Sequence, residues 1–511
     1  MADVSSRELP RILGAPVNES LRRATPALVF ALAVALTYGY EIFSFHLTLD
    51  EELFGEATGT SYALLWLSQG RWAMGALTLL VPSPVVPVVS TLLGVVLTAA
   101  SVWFVCRRCV FLGPWTTAAV ASLACTLPTL AFMFSFSTIA YGIGVGNALL
   151  LVYTVGISSA SWLRRAIGVL ALAFAIGIYD SFLVAGAALA IFVLCRRATW
   201  FKTAMVVASI ALAFAVSKLV AAMCQWIFGV GQDAYVGQFV DLPGLMADPA
   251  SRLKRALASV WDVAFLSEEK FGLHSPWLGV VLASLVVLAV FGALRAEGLR
   301  DKLVNLTGIA ALLALPVAME LVAVSPVLLR SMVYLPMIVA VLAGWAAYGL
   351  SALPAKTPAI ASGLLAALTV LAVVGQATIS NRLFAASEMT YSQDQNLAFD
   401  IGQEKERLVE TVAGDNTPLY ISGAHAWPTS ILVPARENLG VSFFAGQAGP
   451  DAVQYRTAAF LRSQGVAVRM PDGDEMERGK VAAASMPSYP EAGWISYSEG
   501  VLVVKFGDEG P

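Results

Sequence analysis

The sequence predicts a polytopic α-helical membrane protein carrying a small C-terminal α/β domain, and three observations lead there. First, 58% of the residues are hydrophobic and only 13% charged, with a mean hydropathy of +0.73; soluble domains carry roughly 25% charged residues. Second, apolar windows long enough for a hydrocarbon core of roughly 30 Å recur from residue 26 to about residue 382, punctuated by arginine doublets. Third, from about residue 384 the composition turns soluble in character. The expected organisation is a cytoplasmic N-terminal segment, 1–24, a transmembrane domain, 25–383, with outer loops at 46–84 and 229–275, and an extracytoplasmic α/β domain, 384–511.

The first window, 26–45, follows Arg22-Arg23 and is too long for a signal-peptide core, so it reads as an uncleaved first helix. Arg107-Arg108 follow the window 85–105, Arg164-Arg165 follow 143–163, Arg196-Arg197 follow 182–194, and Arg295, Arg300 and Lys302 follow 277–294. Placing each basic group inside by the positive-inside rule closes the topology with the amino terminus inside. The remaining windows are 112–134, 166–178, 203–228, 303–324, 333–353 and 358–379, about eleven helices in all, and an odd number puts the carboxyl terminus outside. Two amphipathic stretches are expected to lie along the surface. Residues 251–265 place Leu253, Ala256, Leu257, Val260, Trp261 and Ala264 on one stripe, with Arg252, Lys254 and Arg255 off it and available to lipid phosphate or anionic headgroups. Residues 61–81 place Trp66 and Trp72 at headgroup level. Beyond 384, helices are expected at 389–412 and 451–463, strands at 419–421, 441–444 and 466–470, and a hairpin at 494–497 and 501–506.

Against this apolar background the loop His46-Leu47-Thr48-Leu49-Asp50-Glu51-Glu52, running on to Gly70-Arg71-Trp72, stands out. Three consecutive carboxylates beside a bilayer mark a functional site, because charge near hydrocarbon is costly. Glu41, Asp180, Lys218, Glu320 and Arg330 are the ionisable residues inside or at the ends of spans, and the topology puts each toward the outer side. They suggest a polar cavity opening outward under the acidic loop; structural pairing, Glu320 with Lys218 for instance, is the competing explanation. A net charge of -3 argues against nucleic acid as a partner. Cys106 and Cys109 form a lone pair without further ligands, and His46, His274 and His425 lie far apart, so no metal motif emerges.

A carboxylate beside an outward cavity can take the proton of a sugar hydroxyl, while an arginine or lysine holds a leaving phosphate. No phosphate-cradling glycine loop occurs, and a nucleotide donor has no pool outside the cell, so a lipid-linked sugar donor fits best. Arg330 and Lys218 are candidates for phosphate binding from charge and position. A flippase or transporter of lipid-linked saccharides is the alternative, although the chain shows no internal repeat of the kind transporters carry.

The Leu49-Asp50-Glu51-Glu52 loop, Gly70-Arg71-Trp72, the Gly177-Ile178-Tyr179-Asp180-Ser181 turn and Pro490-Glu491-Ala492-Gly493-Trp494-Ile495 resemble, in order, the type II glucosyltransferases that modify bacterial O-antigen. The resemblance implies a GT-C-like enzyme of the bacterial inner membrane. Such an enzyme takes a glucosyl group from a polyprenyl phosphate, such as undecaprenyl phosphate glucose, to a polysaccharide or lipid-linked glycan acceptor in lipopolysaccharide modification. It implies Asp50 as general base, Glu51 as its partner or an acceptor contact, and Arg71 either on the donor phosphate or tying the loop to Glu51 or Glu52. Glu52, Trp72, Tyr179, Asp180 and Glu320 are the further candidates for substrate contacts. The family's second acidic position often holds Asp, and Gln is commoner at the Asp180 turn. A divalent cation is a possible cofactor in this class, since paired carboxylates can hold one.

Overall fold

The structure is a computed structural model and describes residues 9–54, 59–81, 83, 85–196, 200–233, 241–354, 357–409, 416–428, 435–445 and 450–508. Among the described residues seven helices are long and apolar enough to cross a bilayer: Arg23–Phe43, Val89–Cys109, Ala140–Ser158, Thr203–Phe228, Trp277–Arg295, Leu299–Val322 and Thr357–Leu408. Pro114–Cys125 and Pro128–Phe134, bent by 59° at their junction, make an eighth if taken as one span. Three further helices, Trp162–Ile178, Phe182–Arg196 and Leu335–Ser351, have 17, 15 and 17 residues. At a rise of 1.5 Å per residue they reach only about 25 Å, short of a full crossing. The eleven expected helices are therefore seven of crossing length, one bent pair and three shorter ones. This is a polytopic membrane protein.

The first helix shows how the sequence sorts lipid from protein. Leu28, Leu32 and Leu36 are exposed on one face, while Phe30, Val34 and Tyr38 are buried on the other, each set at the four-residue spacing of one helix face. Where helices touch most closely the contact is made by glycine. A Cβ on Gly292 would lie 2.6 Å from the Cα of Gly349, so neither position accepts a larger side chain without parting Trp277–Arg295 from Leu335–Ser351. At the bent pair, Pro128 supplies no N–H to the preceding turn. The Tyr38 hydroxyl donates to the Cys125 carbonyl at this break, at 2.8 Å.

Several expectations are corrected. Residues 61–81 form two short helices, Gly59–Ser68 and Trp72–Thr78, separated at Gly70, whose φ of +77° suits glycine. Trp66 is buried in the core, and Trp72 packs on Phe174 and donates to the Ser217 hydroxyl, so both indoles face protein. Pro249–Ala264 is the amphipathic helix expected at 251–265 and exposes Leu253, Leu257 and Trp261. Its Arg252 and Arg255 do not face lipid phosphate: both donate to the Ala323 carbonyl, Arg252 also pairs with Asp241, and Arg255 bonds the Val324 carbonyl. The last span and the helix expected from 389 are one continuous helix, Thr357–Leu408, with residues 380–388 helical between them. The end expected for that helix, at 412, lies outside the described residues. No strand forms at 441–444, because the Phe443 N–H is taken by Asp394 and both phenylalanines pack inward from a turn.

The C-terminal region is a four-stranded sheet of order β2-β1-β4-β3, with β1 Thr417–Ser422, β2 Val468–Arg469, β3 Ile495–Ser498 and β4 Val501–Lys505. β1 runs parallel to β2 and β4, with Leu419 opposite Leu502, and β3–β4 is the expected hairpin. Both faces are covered, which explains the unbroken apolar runs of β1 and β4. Leu419, Ile421, Leu502 and Val504 pack with the helix Pro450–Ser463 and with Leu397, Ala398 and Ile401 of the long helix. Tyr420, Val501 and Val503 pack against Ala483 of a further helix, Gly473–Ala484. Sequence reading missed this last helix, although its capping box, Asp472 with Glu475, is a legible start signal.

Asp394, on the long helix, is fully buried and ties the C-terminal region down. It accepts from the Trp427 indole at 2.6 Å, the Ser442 hydroxyl at 2.7 Å and the Phe443 N–H at 2.8 Å. Asp394→Ala strands two buried donors and one half-buried one, a loss of about 3 kcal/mol. Limited proteolysis in detergent is expected to cut the C-terminal region of this variant first while the spans stay intact; uniform resistance would show that the sheet is held by other means.

Candidate active site

The acidic loop is shaped by its middle carboxylate. Thr48 and Glu51 close a turn, and Glu51–Phe54 continues as a single 3-10 turn. Glu51 is fully buried and accepts four hydrogen bonds: from the Thr48 N–H and hydroxyl at 3.1 and 3.0 Å, the Ser137 hydroxyl at 2.9 Å and the Thr138 N–H at 3.0 Å. Burial raises its carboxyl, and the four donors oppose the rise. With both oxygens engaged, Glu51 holds the turn against 135–139 and offers no free edge.

Its neighbours face the other way. Asp50 adopts φ +93°, a conformation that costs a non-glycine residue about 1–3 kcal/mol and clusters at functional sites. Its side chain is 37% exposed and lies between two guanidinium groups, with Arg456 Nη2 at 2.5 Å from Oδ1 and Arg330 Nη1 at 3.6 Å from Oδ2. Glu52 is buried; one oxygen accepts from the Asp50 N–H at 2.7 Å and the other from Arg456 Nη1 at 2.7 Å. Burial pushes the Glu52 carboxyl up to about 7, against the pull of Arg456 and helped by the charge of Asp50. Arg330 also pairs with Glu437 at 3.5 Å and lies over the Phe136 ring at 5.6 Å. Glu437 accepts from the N–H groups of Leu329 and Arg330 at 2.7 and 3.4 Å, which fixes the turn Leu329–Ser331. Burial raises the Glu437 carboxyl while Arg330 lowers it.

The structure brings Asp50, Glu51, Glu52 and Arg330 together as expected from position. Arg71 ties to neither Glu51 nor Glu52 and makes no ion pair among the described residues; its guanidinium lies 5.2 Å from the Trp66 ring centroid and 4.6 Å from that of Tyr179. The Tyr179 hydroxyl in turn meets Ser331 at 2.9 Å, next to Arg330. Lys218 pairs with Asp180 at 2.8 Å, both half-exposed. Glu320 does not pair with Lys218. It is buried and accepts from Ser259 at 2.6 Å and from the Val327 N–H at 3.1 Å, an anchor for the loop that carries Arg330. Glu41 lies 3.9 Å from the buried His46, which also meets Glu388 at 3.4 Å. Burial alone would lower the His46 imidazole, but Glu41 and Glu388 outweigh it and raise it. These groups form a set of polar contacts joining the ends of several helices.

Two site residues escaped sequence reading, Arg456 and Glu437. Both come from the C-terminal region, and neither carries a local signal, since each is an ordinary surface-type charge in a soluble stretch. No group of three or more metal-ligating side chains occurs among the described residues. Asp50 and Glu52 share Arg456 between them, so their facing oxygens are taken up by a guanidinium.

Fold and site together define a polytopic membrane protein with a strained, arginine-held aspartate where several loops converge. The model of one family, glucosyl transferase GtrII, matches residues 39–346, more than half the chain, and the protein belongs to that family. Membership implies glucosyl transfer. No curated protein and no solved structure gives a significant match.

The Glu52 carboxyl sits above its ordinary value in the folded chain, so its contribution to stability is complete below about 4.5 and is lost as pH rises through about 7. Against Glu52→Gln, the wild-type melting temperature in detergent is expected to fall over that interval, by the equivalent of roughly 3 kcal/mol at most. Parallel curves for the two proteins would show that Glu52 is ionised throughout.

Proposed function

We propose that this chain is an integral enzyme of the bacterial inner membrane. It moves a glucosyl group from a polyprenyl-phosphate donor to a cell-surface polysaccharide such as O-antigen, on the outer side, with Asp50 as general base. The observation that carries the reading is the position of Asp50: a partly exposed carboxylate in a strained backbone conformation, 3.6 Å from a cation on a second loop. Family membership supplies the reaction class.

In the reaction an acceptor hydroxyl gives its proton to Asp50 as its oxygen bonds to the anomeric carbon. The bond from that carbon to the phosphate oxygen breaks, and the electron pair leaves with polyprenyl phosphate. Charge grows on that phosphate in the transition state, where Arg330 is well placed to oppose it, because an arginine fork suits phosphate oxygens. Glu51 holds the turn; Glu52 holds the Asp50 backbone. Arg71 and Lys218 are additional cations for the donor, and Tyr179, Asp180 and Trp72 are further candidates for substrate contacts. Glu320 acts at one remove by fixing the loop of Arg330.

Purified protein in nanodiscs, given undecaprenyl phosphate [14C]glucose and O-polysaccharide, is expected to label the polysaccharide. Asp50→Asn is expected to lower turnover by about 10²–10⁴-fold with an unchanged melting profile. Arg330→Gln is expected to raise the donor KM by about tenfold, on the order of 1.4 kcal/mol. An Asp50→Asn protein with full turnover would refute the assignment of the base.

A further inference from the structure

We infer that Arg456 is a positioning residue for glucosyl transfer, holding the Asp50 carboxylate toward the acceptor, so that the C-terminal α/β region completes the active centre. The inference rests on the reading of Asp50 as the base.

The geometry is a closed ring. The Asp50 N–H donates to Glu52, Glu52 accepts from Arg456 Nη1, and Arg456 Nη2 returns to Asp50 Oδ1. Backbone and side chain of one residue are thereby fixed through a single guanidinium. A fork of this kind fixes direction as well as distance. The φ of +93° at Asp50 would relax if it were not over-determined in this way.

A mere clasp between the two parts of the chain would explain Arg456 less well. Its helix is already seated by Ala458, Phe460 and Leu461, all buried, and by the stacking of Phe460 on Phe443 at 4.3 Å. The C-terminal region is docked independently by Asp394, by Glu437 on the 329–330 turn and by Asn438, which donates to the Phe132 carbonyl and the Ser135 hydroxyl. Arg456 therefore adds little to docking, yet its fork is spent on the exposed carboxylate as well as the buried one. The family match ends at residue 346, so this contribution comes from outside the matched part of the chain.

The charged groups paired with Arg456 are Asp50 and Glu52 on the acidic turn; Asp50 also faces Arg330, which pairs with Glu437. Removing Arg456 leaves Arg330 as the nearest cation to Asp50, at 3.6 Å instead of 2.5 Å.

The test uses the full chain in nanodiscs with undecaprenyl phosphate [14C]glucose and O-polysaccharide, comparing wild type, Arg456→Gln and Arg456→Lys. Arg456→Gln is expected to lose about 100-fold in kcat while the donor KM changes less than about threefold and the melting temperature stays at the wild-type value. Arg456→Lys keeps the charge but not the fork; it should recover only part of kcat. Wild-type kcat in Arg456→Gln would overturn the role while leaving Asp50 as base. So would a loss of kcat in both variants that tracks a lowered melting temperature. If the wild-type chain transfers nothing from this donor, the proposed reaction fails and the role of Arg456 falls with it.

Discussion

The site depends on one buried carboxylate. Glu51 has no exposed surface and four hydrogen-bond donors, and such a group is tolerated inside a protein only when its partners are all in place. Satisfying it forces the turn after the first helix against the 135–139 segment. Once that turn is fixed, Asp50 and Glu52 on either side of Glu51 are directed to arginines instead, Glu52 to Arg456 and the partly exposed Asp50 to both Arg456 and Arg330. The exposed aspartate and its strained backbone follow from the inward position of its neighbour.

A second constraint couples this turn to the rest of the chain. Glu437, Asn438 and Arg456 are remote in sequence from the helices they touch, yet each makes a polar contact with a helix end or a loop between helices. The long helix Thr357–Leu408 makes this possible by running unbroken from the spans into the α/β region. Its buried Asp394 then holds the segment 442–443, next to the residues that reach the site. The loop of Arg330 is fixed from both sides, by Glu437 on one and by Glu320 with the amphipathic helix Pro249–Ala264 on the other. Loss of any of these anchors is felt at Arg330.

Much of this was legible because lipid imposes strict patterns. Apolar windows and arginine doublets gave the helices to within a few residues, and the scarcity of charge made Asp50, Glu51, Glu52 and Arg330 conspicuous. Sequence was weaker wherever a choice depended on tertiary partners. Trp66 and Trp72 look interfacial by type, but the break at Gly70 turns them inward onto other helices. Arg252 and Arg255 look free for lipid, but the carbonyls of Ala323 and Val324 claim them. Phe443 and Phe444 have strand propensity, and Asp394 takes the N–H a strand would need. Arg456 had no signal at all, because nothing in a soluble helix announces which of its charges will meet a loop some 400 positions earlier, as the 406-residue separation from Asp50 illustrates.

The account requires that the acidic turn, the 179–181 turn and the C-terminal region share the outer face of the membrane. In a variant lacking the five native cysteines, single cysteines at Glu499, in the exposed β3–β4 turn, and at Ala160, at the opposite end of Trp162–Ile178 from Tyr179, can be probed with a membrane-impermeant thiol reagent on intact spheroplasts. The account predicts labelling at Glu499→Cys and protection at Ala160→Cys until the membrane is opened. Labelling of Ala160→Cys with protection of Glu499→Cys would place Asp50 in the cytoplasm and contradict it.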